Sequence, residues 1–502
     1  MSDIRVTYSG LISFLVRISS ILTGIIFTLI VTRRLSEEEF GSWSLIGGLL
    51  LYVVTVDFVI SYWLTREVAR NEKSGKTALV SGGILSIGGF FAYLVIAYYV
   101  SQQSDADLGL LIFASILIPL MFVNDVISYL NAGWKPQIVS YALLASEITK
   151  VLAALVTVYF LDLGIEGAII ATFIAYVASI VINIKFAKEK IKNKIQKKYI
   201  KKWFKLSWIP LYQSIPNLAF VSDVVIFSVM TGSVIGVAYM TASRAIANIV
   251  MHAAVISDAV YPKLLEGGKE LHLQENFIKV FYFAIPLVGL TIVLARPGLF
   301  ALNPIYESAA LILILSSFRN FLSIVNRMFY SALQGIEKTD LDESATFKMY
   351  MKSKLFFMPT VRIIQYVSYA IILTLVLAII NGHNFLELVT YWAIISLLIE
   401  IPFVIYQLHL VKKYFTLNLD NIAILKYIIA AVISSGILYY IVERFLNYKI
   451  SIFEFMPQLL IFVFIGIGVY LGITYFSDRR TKELFKGIIN EIRISKRDQK
   501  KK

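Results

Sequence analysis

The stretch "IEGAIIATFIAYVASIVINI" (residues 165–184) is followed at once by "KFAKEKIKNKIQKKYIKKWFK" (residues 185–205). The first segment has the length and apolar character of a helix that crosses a bilayer, which needs about 20 mostly apolar residues. The second contains ten lysines and one glutamate, which is typical of a connection on the cytoplasmic side of a membrane. Together they predict a membrane span that ends in a basic cytoplasmic connector.

The whole chain has the composition of a polytopic membrane protein. Of its 502 residues, 58% are hydrophobic and 16% are charged, and the mean hydropathy is +0.75. Soluble domains are about half apolar and about a quarter charged. The chain has no cysteine, which excludes disulfides, thiolate metal sites and cysteine nucleophiles. The first apolar run contains Arg17 and has no small-residue cleavage site, so we expect it to be retained as a span.

Apolar runs of spanning length recur along the chain and predict an all-α protein with about fourteen transmembrane helices. Connections rich in lysine and arginine alternate with poor ones such as "SQQSDAD" (residues 101–107) and "TGS" (residues 231–233). The positive-inside rule therefore places both termini in the cytoplasm, and these two connections outside. This topology accounts for the net charge of +14 without a nucleic-acid partner.

The basic connector divides the predicted spans into lobes. We predict an N-terminal lobe at residues 1–205, with spans one to six and the connector at residues 185–205, and a C-terminal lobe at residues 206–410, with spans seven to twelve. An extra helix pair would follow at residues 411–478, and a basic cytoplasmic tail at residues 479–502. One predicted span leads into "EEFGSW" (residues 38–43), and another leads in the same way into "SVIGVAY" (residues 233–239), which indicates a repeat. Such parallel repeats are typical of transporters with a central cavity.

Apolar residues recur every four positions within the connector, at Ile191, Ile195, Tyr199 and Trp203. This spacing predicts an amphipathic helix with a lysine face, suited to lying on a membrane surface. We expect the lysines of the connector and of the C-terminal tail to bind anionic lipid headgroups.

Ionisable residues inside the predicted spans are the candidate functional residues, because a charge at mid-bilayer costs about 2.5–3.5 kcal/mol on insertion scales. Arg17 and Asp57 lie at matching depths on spans one and two, which makes them candidate partners. Asp223 and Arg244 match in the same way on spans seven and eight. A further acid and base on span five lie three residues apart, so that one helix neutralises itself; they are Glu147 and Lys150.

Two more arginines, Arg319 and Arg327, lie eight residues apart on span ten and share one helix face. Glu400 on span twelve is a candidate partner for one of them. A guanidinium that faces a hydrated cavity is a good phosphate ligand, since its planar fork matches phosphate oxygens. The alternative for all these charges is interhelical pairing that only stabilises packing.

Several classes of site are not predicted. "NEKSGKT" (residues 71–77) ends like a phosphate-binding loop, but Arg70 stands where the first glycine is needed. The four histidines show no metal-ligand spacing. We therefore predict no catalytic residue, no metal and no cofactor, and expect transport to be driven by an ion gradient, the membrane potential or the substrate's own gradient. Asp57 and Asp223 are candidate carriers of a coupling proton or sodium ion.

Several stretches resemble the polysaccharide flippases of the multidrug/oligosaccharidyl-lipid/polysaccharide exporter superfamily. They are "LTGIIFTLIVTRRLSEEEFGSWSL" (residues 22–45), "IGVAYMTASRAIANIV" (residues 235–250), "AVYPKLLE" (residues 259–266), "NPIYESAALILILS" (residues 303–316) and "LQGIEKTD" (residues 333–340). The resemblance implies a two-lobed bundle that works by alternating access. It would flip a polyprenyl- or dolichol-(pyro)phosphate-linked oligosaccharide to the outer leaflet of a prokaryotic plasma membrane, for surface polysaccharide or glycoprotein biosynthesis. Glycan-assembly proteins would be further partners.

The resemblance also bears on the binding site. In the related lipid II flippases, cationic residues on helices one, two and eight meet the substrate phosphates. Arg17 and Arg244 fall on the matching helices one and eight, whereas helix two carries Asp57 instead. With Arg319 and Arg327, these arginines are our candidate ligands for the headgroup phosphate or the glycan.

Two other functions stay open at this point. A cation-coupled multidrug exporter of the same superfamily should have acids and few bases in its cavity, whereas five bases and four acids are predicted inside the spans. A membrane glycosyltransferase or glycan ligase needs an acidic metal-binding motif on an outer loop. Only "SEEEF" (residues 36–40) supplies such acids, and the outer connections are short.

Overall fold

The computed structural model describes residues 6–259, 270–335, 347–380, 384–416, 419–483 and 486. At some positions inside helices, including 6–15, 17, 18, 21 and 255–259, it describes the backbone and not the side chain. Every regular element in these residues is a helix, which confirms the all-α class.

Eleven α-helices precede residue 250. They are α1 (Val6–Arg34), α2 (Glu37–Val54), α3 (Phe58–Ala69), α4 (Gly75–Gln103), α5 (Leu108–Ala114), α6 (Leu117–Ala132), α7 (Gln137–Ala154), α8 (Gly164–Ile191), α9 (Lys197–Lys205), α10 (Trp208–Thr231) and α11 (Ile235–Ala247). A 3₁₀ turn (Thr55–Asp57) joins α2 to α3, and a π-helical segment (Leu155–Phe160) extends α7.

The described part of the remaining chain begins with a 3₁₀ segment (Val250–Ala259) and contains a second one (Pro304–Ala309). Its α-helices are α12 (Glu270–Val293), α13 (Ala295–Leu302), α14 (Ala310–Gly335), α15 (Phe347–Lys352), α16 (Lys354–Ile379), α17 (Phe385–Leu398), α18 (Glu400–Tyr414), α19 (Asn421–Phe445) and α20 (Ile452–Ser477).

Within the described residues, 12 helical segments are long and apolar enough to cross a membrane. Helices α1 and α11 stand where spans one and eight were predicted. The chain is thus a multi-pass membrane protein, as its composition indicated. The count of fourteen spans and the cytoplasmic position of both termini stay predictions.

The chain forms two compact units. The first comprises Met1–Ala242 and Pro359–Trp392, and the second comprises Ser243–Met358 and Ala393–Lys502. The division into lobes at residues 1–205 and 206–410, a helix pair at 411–478 and a tail at 479–502 stays a prediction.

The basic connector does not form one continuous amphipathic helix, which corrects the sequence-based prediction. Ile191 is the last residue of α8, and Ile195 lies exposed in the break before α9. Tyr199 and Trp203 are buried, with their rings stacked at 5.9 Å between centroids. These two rings pack beside α3, where Glu67 accepts a hydrogen bond from the Trp203 indole.

The acids of α3 and of the turn after it hold α9 in place. Glu67 Oε1 accepts from Trp203 Nε1 at 3.3 Å and from Lys202 Nζ at 3.0 Å. The Tyr199 hydroxyl donates to Glu72, and this bond together with the nearby Lys198 ammonium holds the pKa of Glu72 below its ordinary value. The lysine face of α9 stays exposed, and its binding to anionic lipids stays a prediction.

We expect Trp203→Ala to release α9 from α3. The indole is fully buried and bonded to Glu67, and removing a buried aromatic ring costs about 3–5 kcal/mol. Trypsin should then cut the lysine-rich connector at least about tenfold faster, since cleavage follows the population of the locally opened form. Phe204→Ala is the matched control, because that neighbouring ring is 50% exposed. Equal cleavage rates for the two variants would contradict the proposed role of Trp203.

Candidate functional site

Two of the charged groups predicted inside the spans of the second unit, Arg319 and Glu400, form an ion pair between α14 and α18. Arg319 Nη2 lies 3.1 Å from Glu400 Oε1, and the side chains are 15% and 0% exposed. Glu400 is therefore a partner of Arg319, one of the two arginines for which it was a candidate. Glu400 stands directly after a break in the helix at Ile399. The helix breaks here because Pro402 lacks the N–H that would bond to the Leu398 carbonyl of a continuous helix.

A network of asparagines surrounds this ion pair. Asn326 donates to Glu400 Oε2 at 3.2 Å, and Arg319 Nη1 donates to Asn320 Oδ1 at 3.3 Å. Asn320 in turn donates to Asn248 Oδ1 at 3.1 Å. Each charged group thus has one neutral hydrogen-bond partner, which lowers the cost of keeping the ion pair out of water.

The remaining candidate arginines are placed differently. Arg244 is half-buried on α11, and its carbonyl accepts from the Asn248 N–H at 2.9 Å, so its helix is tied to the asparagine network. Arg327 is exposed, about two turns along α14 from Arg319. Arg17 lies in α1, and its side chain is outside the described part of the chain, so its pairing with Asp57 stays a prediction.

Asp223 is fully buried in the first unit and is held by two neutral donors. Tyr369 donates to its Oδ2 at 2.8 Å and Trp392 Nε1 donates at 3.2 Å. The Trp392 ring stacks on Phe227 of α10 at 4.8 Å. Arg244 belongs to the other unit, and its predicted pairing with Asp223 stays a prediction. Sequence reasoning missed Tyr369 and Trp392, because no spacing marks an aromatic residue as a carboxylate ligand.

Asp57 stands in the 3₁₀ turn between α2 and α3 and is 2% exposed. Ser61 donates a hydrogen bond to its Oδ2, while its Oδ1 has no hydrogen-bond partner among the described residues. The carboxyl group of Asp125, on α6, interacts electrostatically with it. Asp125 also accepts from Asn124 Nδ2 at 3.3 Å. The first unit thus holds the buried Asp57 beside the partly buried Asp125.

Asp125 was overlooked in the sequence. It lies in the middle of a predicted span, "FVNDVISYL" (residues 122–130), and the reasoning that selected Asp57 applies to it equally. Glu147 and Lys150 form the predicted pair within one helix, at 3.5 Å. Since Glu147 also accepts from Thr23 at 3.2 Å, this pair is satisfied locally.

The acids of residues 36–40 serve the helix rather than a metal. Ser36 and Glu39 form a capping box at the start of α2, with bonds of 3.2 and 2.8 Å. Glu37 accepts from the Tyr239 hydroxyl. In the described residues no group of three or more histidine, aspartate or glutamate side chains could hold a metal ion. The arrangement gives the glycosyltransferase alternative no metal site in this part of the chain.

The chain is similar to known proteins both in sequence and in fold. A family described as "Polysaccharide biosynthesis protein" matches residues 6–267. No curated protein sequence matches the chain.

Solved structures are similar over most of the chain. The lipid II flippase MurJ in an inward closed conformation is 16% identical with a TM-score of 0.65, over 94% of this chain and 99% of that one. An inward-facing multidrug resistance MATE family transporter of the MOP superfamily is 14% identical with a TM-score of 0.60, over 80% and 98%. MATE in complex with MaL6 is 12% identical with a TM-score of 0.52, over 82% and 96%. The fold of this chain is therefore similar to the folds of MurJ and of MATE transporters, as the resemblance to the superfamily implied.

Proposed function

Because this chain belongs to the Polysaccharide biosynthesis protein family, we propose that it flips a polyprenyl- or dolichol-(pyro)phosphate-linked oligosaccharide from the inner to the outer leaflet by alternating access. The observation that carries the proposal is the Arg319 network. A guanidinium, a carboxylate and two asparagines are retained on helices that are otherwise apolar enough to span a membrane, and a third asparagine, Asn248, joins them from the turn after α11. Such polar groups are costly in a bilayer and mark substrate pathways.

The headgroup phosphate is the natural ligand for these cations. Arg319 is preorganised by Glu400 and Asn320, and Arg327 lies about 12 Å further along the same helix. We assign the phosphate to Arg319 and Arg244, with Arg17 and Arg327 as further contacts to phosphate or glycan. Anionic lipids at the connector and tail, and glycan-assembly proteins in the plasma membrane, are the remaining proposed partners.

A direct test uses vesicles that contain the purified chain and a fluorescent undecaprenyl-pyrophosphate oligosaccharide. Headgroups that reach the outer leaflet become accessible to an added glycosidase, which gives the rate of flipping. We expect flipping in vesicles with the protein and none in empty vesicles. In cells, deletion of the gene should leave surface glycans incomplete and accumulate the lipid-linked precursor inside. Normal surface glycans with no functional duplicate would contradict the proposal.

Ion coupling is assigned to Asp57 and Asp125, with Asp223 as a further candidate. The buried Asp57 interacts electrostatically with the partly buried Asp125, and Asp57 Oδ1, which has no hydrogen-bond partner among the described residues, could take a proton or a sodium ion. We expect Asp57→Asn to reduce gradient-driven flipping at least about tenfold, since a lost charge interaction is worth about 1.5 kcal/mol or more. The measurement compares rates with imposed proton and sodium gradients. Asp107→Asn is the matched control, because that carboxylate only caps α5; equal losses in the two variants would contradict the assignment.

A cation-coupled multidrug exporter is the second candidate. The observation that favours it is the neighbouring acids Asp57 and Asp125 in the first unit, together with the fold similarity to a multidrug transporter. Deletion would then raise sensitivity to dyes or drugs while surface glycans stay intact. The mostly buried guanidinium of Arg319 would repel a cationic drug, which is why flipping is our preferred function.

A further inference from the structure

The guanidinium of Arg319, the proposed phosphate ligand, already has acceptors in this structure. Its Nη2 lies 3.1 Å from Glu400 Oε1, and its Nη1 donates to Asn320 Oδ1 at 3.3 Å. A guanidinium binds phosphate most strongly through two parallel N–H groups of its fork. Since both terminal nitrogens are engaged, a phosphate that takes the fork must displace one of these two acceptors.

The two acceptors differ in charge. Asn320 carries a neutral amide, which tolerates a phosphate beside it, whereas the carboxylate of Glu400 repels one. Such repulsion is strong where little water screens it. Glu400 is therefore the acceptor that an arriving phosphate displaces, and the bond to Asn320 keeps the guanidinium oriented during the exchange.

The burial of the ion pair leaves the guanidinium accessible from one side. The side chain of Arg319 is 15% exposed, whereas that of Glu400 is 0% exposed. The arginine thus has an edge that a ligand can reach, with the carboxylate behind it. A phosphate can approach this edge while Glu400 still holds the other.

Glu400 has a second set of contacts that survives the exchange. Its Oε2 accepts from Asn326 Nδ2 at 3.2 Å, so that its two oxygens have separate partners. It is also the first residue of α18, where the helix dipole favours a negative charge. The carboxylate can therefore leave Arg319 at Oε1 and return to it later, while Oε2 stays bonded to Asn326.

We propose that Glu400 is a built-in competitor of the substrate phosphate for Arg319, a role that rests on the flipping proposed above. Without substrate, the carboxylate neutralises the guanidinium. When the headgroup arrives, its phosphate takes the fork, and Glu400 stays bonded to Asn326. On the outer side Glu400 takes Arg319 back, which expels the phosphate and releases the product. Glu400 is thus a positioning residue that weakens binding and thereby permits turnover.

Glu400→Gln tests this role, because it keeps the size of the side chain and an oxygen for Asn326 but removes the charge. The purified full chain is titrated with a fluorescent undecaprenyl-pyrophosphate oligosaccharide, and flipping of the same lipid is measured in vesicles. We expect the variant to bind this lipid roughly tenfold more tightly, a change of about 1.4 kcal/mol. Flipping with excess substrate should fall by a similar factor, because tighter binding mainly slows dissociation.

Two controls separate competition from a loosened network. Undecaprenol, which has no phosphate, should bind the wild-type chain and Glu400→Gln equally. Asn326→Leu removes a hydrogen bond of the same network but keeps the carboxylate, so its affinity for the phosphate lipid should not rise. A purely structural role of Glu400 predicts a change of opposite sign, since a misplaced Arg319 binds phosphate less tightly.

Equal or weaker binding of the phosphate lipid to Glu400→Gln would rule out the competition. An equal gain for undecaprenol, or tighter binding with unchanged flipping, would do the same. The double variant Arg319→Met with Glu400→Leu shows which proposal has failed. If it binds the phosphate lipid as the wild type does, the phosphate does not lie on Arg319, and the proposed phosphate site fails as well. If it binds more weakly while Glu400→Gln binds no more tightly, only the competition is wrong.

Discussion

Glu400→Ala should destabilise the second unit by about 3 kcal/mol, the lower end of the cost of breaking a buried ion pair. The substitution removes the carboxylate from a guanidinium that is only 15% exposed, and it takes away the acceptor for Asn326. The lower end applies because Arg319 keeps its bond to Asn320. Thermal unfolding in detergent measures the loss. Glu443→Ala, at an exposed position on α19, is the control.

The paired substitution Arg319→Met with Glu400→Leu separates structure from function. Replacing both charges by apolar groups of similar size is often neutral or stabilising, so we expect stability to return close to that of the wild type. Flipping should nevertheless be abolished in this double variant, because the proposed phosphate ligand Arg319 is gone. A double variant that is stable and flips its substrate normally would show that the ion pair only stabilises packing.

A cross-link between residues 105 and 233 should stop transport. Asp105 Oδ2 accepts from Ser233 Oγ at 2.7 Å, and its Oδ1 accepts from the Val234 N–H at 2.8 Å. The Asp105 N–H donates to the Gly232 carbonyl at 3.0 Å. Both segments belong to connections predicted to lie outside. Residue 105 belongs to the predicted N-terminal lobe and residue 233 to the predicted C-terminal lobe, so alternating access by movement of these lobes would break the contact when the outer side opens.

Helix α2 and the residue just before α11 approach each other so closely here that a glycine is required. A Cβ added at Gly41 would collide with the Val234 carbonyl. Because the chain has no cysteine, Asp105→Cys with Ser233→Cys supplies the only two thiols. A short thiol-reactive cross-linker should then remove nearly all flipping in vesicles.

The control for this experiment is each single-cysteine variant treated with the same reagent, which should keep its rate. A reducible cross-linker adds a second control, since reduction should restore flipping. Full transport by a chain whose cross-link is verified by its mass would refute the idea that this contact must open.

Much of the architecture was predictable from local sequence. Apolar runs such as residues 165–184 predict spanning helices because length and hydropathy are properties of a segment by itself. The same holds for charges inside a span, since Asp57, Asp223, Arg319 and Glu400 stand out against apolar neighbours. Asp125 was equally visible and was overlooked. Capping of α2 by Ser36 and Glu39 also follows from a local pattern.

Pairing was less predictable, because partners are chosen by packing between distant segments. Glu400 was a candidate for two arginines on one helix face, and the structure pairs it with Arg319. Asp223 receives its hydrogen bonds from Tyr369 and Trp392, which no periodicity connects to α10. The sequence correctly predicted an apolar stripe at Tyr199 and Trp203 of the connector. It did not predict that this stripe packs against α3.

By itself, then, the sequence determined that this is an all-helical membrane protein and which of its charges lie within the spans, because the cost of moving a residue into hydrocarbon depends on that residue and its immediate neighbours. Only the tertiary structure decided which neutral or charged groups satisfy those charges, and that the aromatic face of α9 packs against Glu67 of α3. Hydrogen bonds and ion pairs form over about 3 Å, and only the packed fold brings residues so far apart in the chain to that distance.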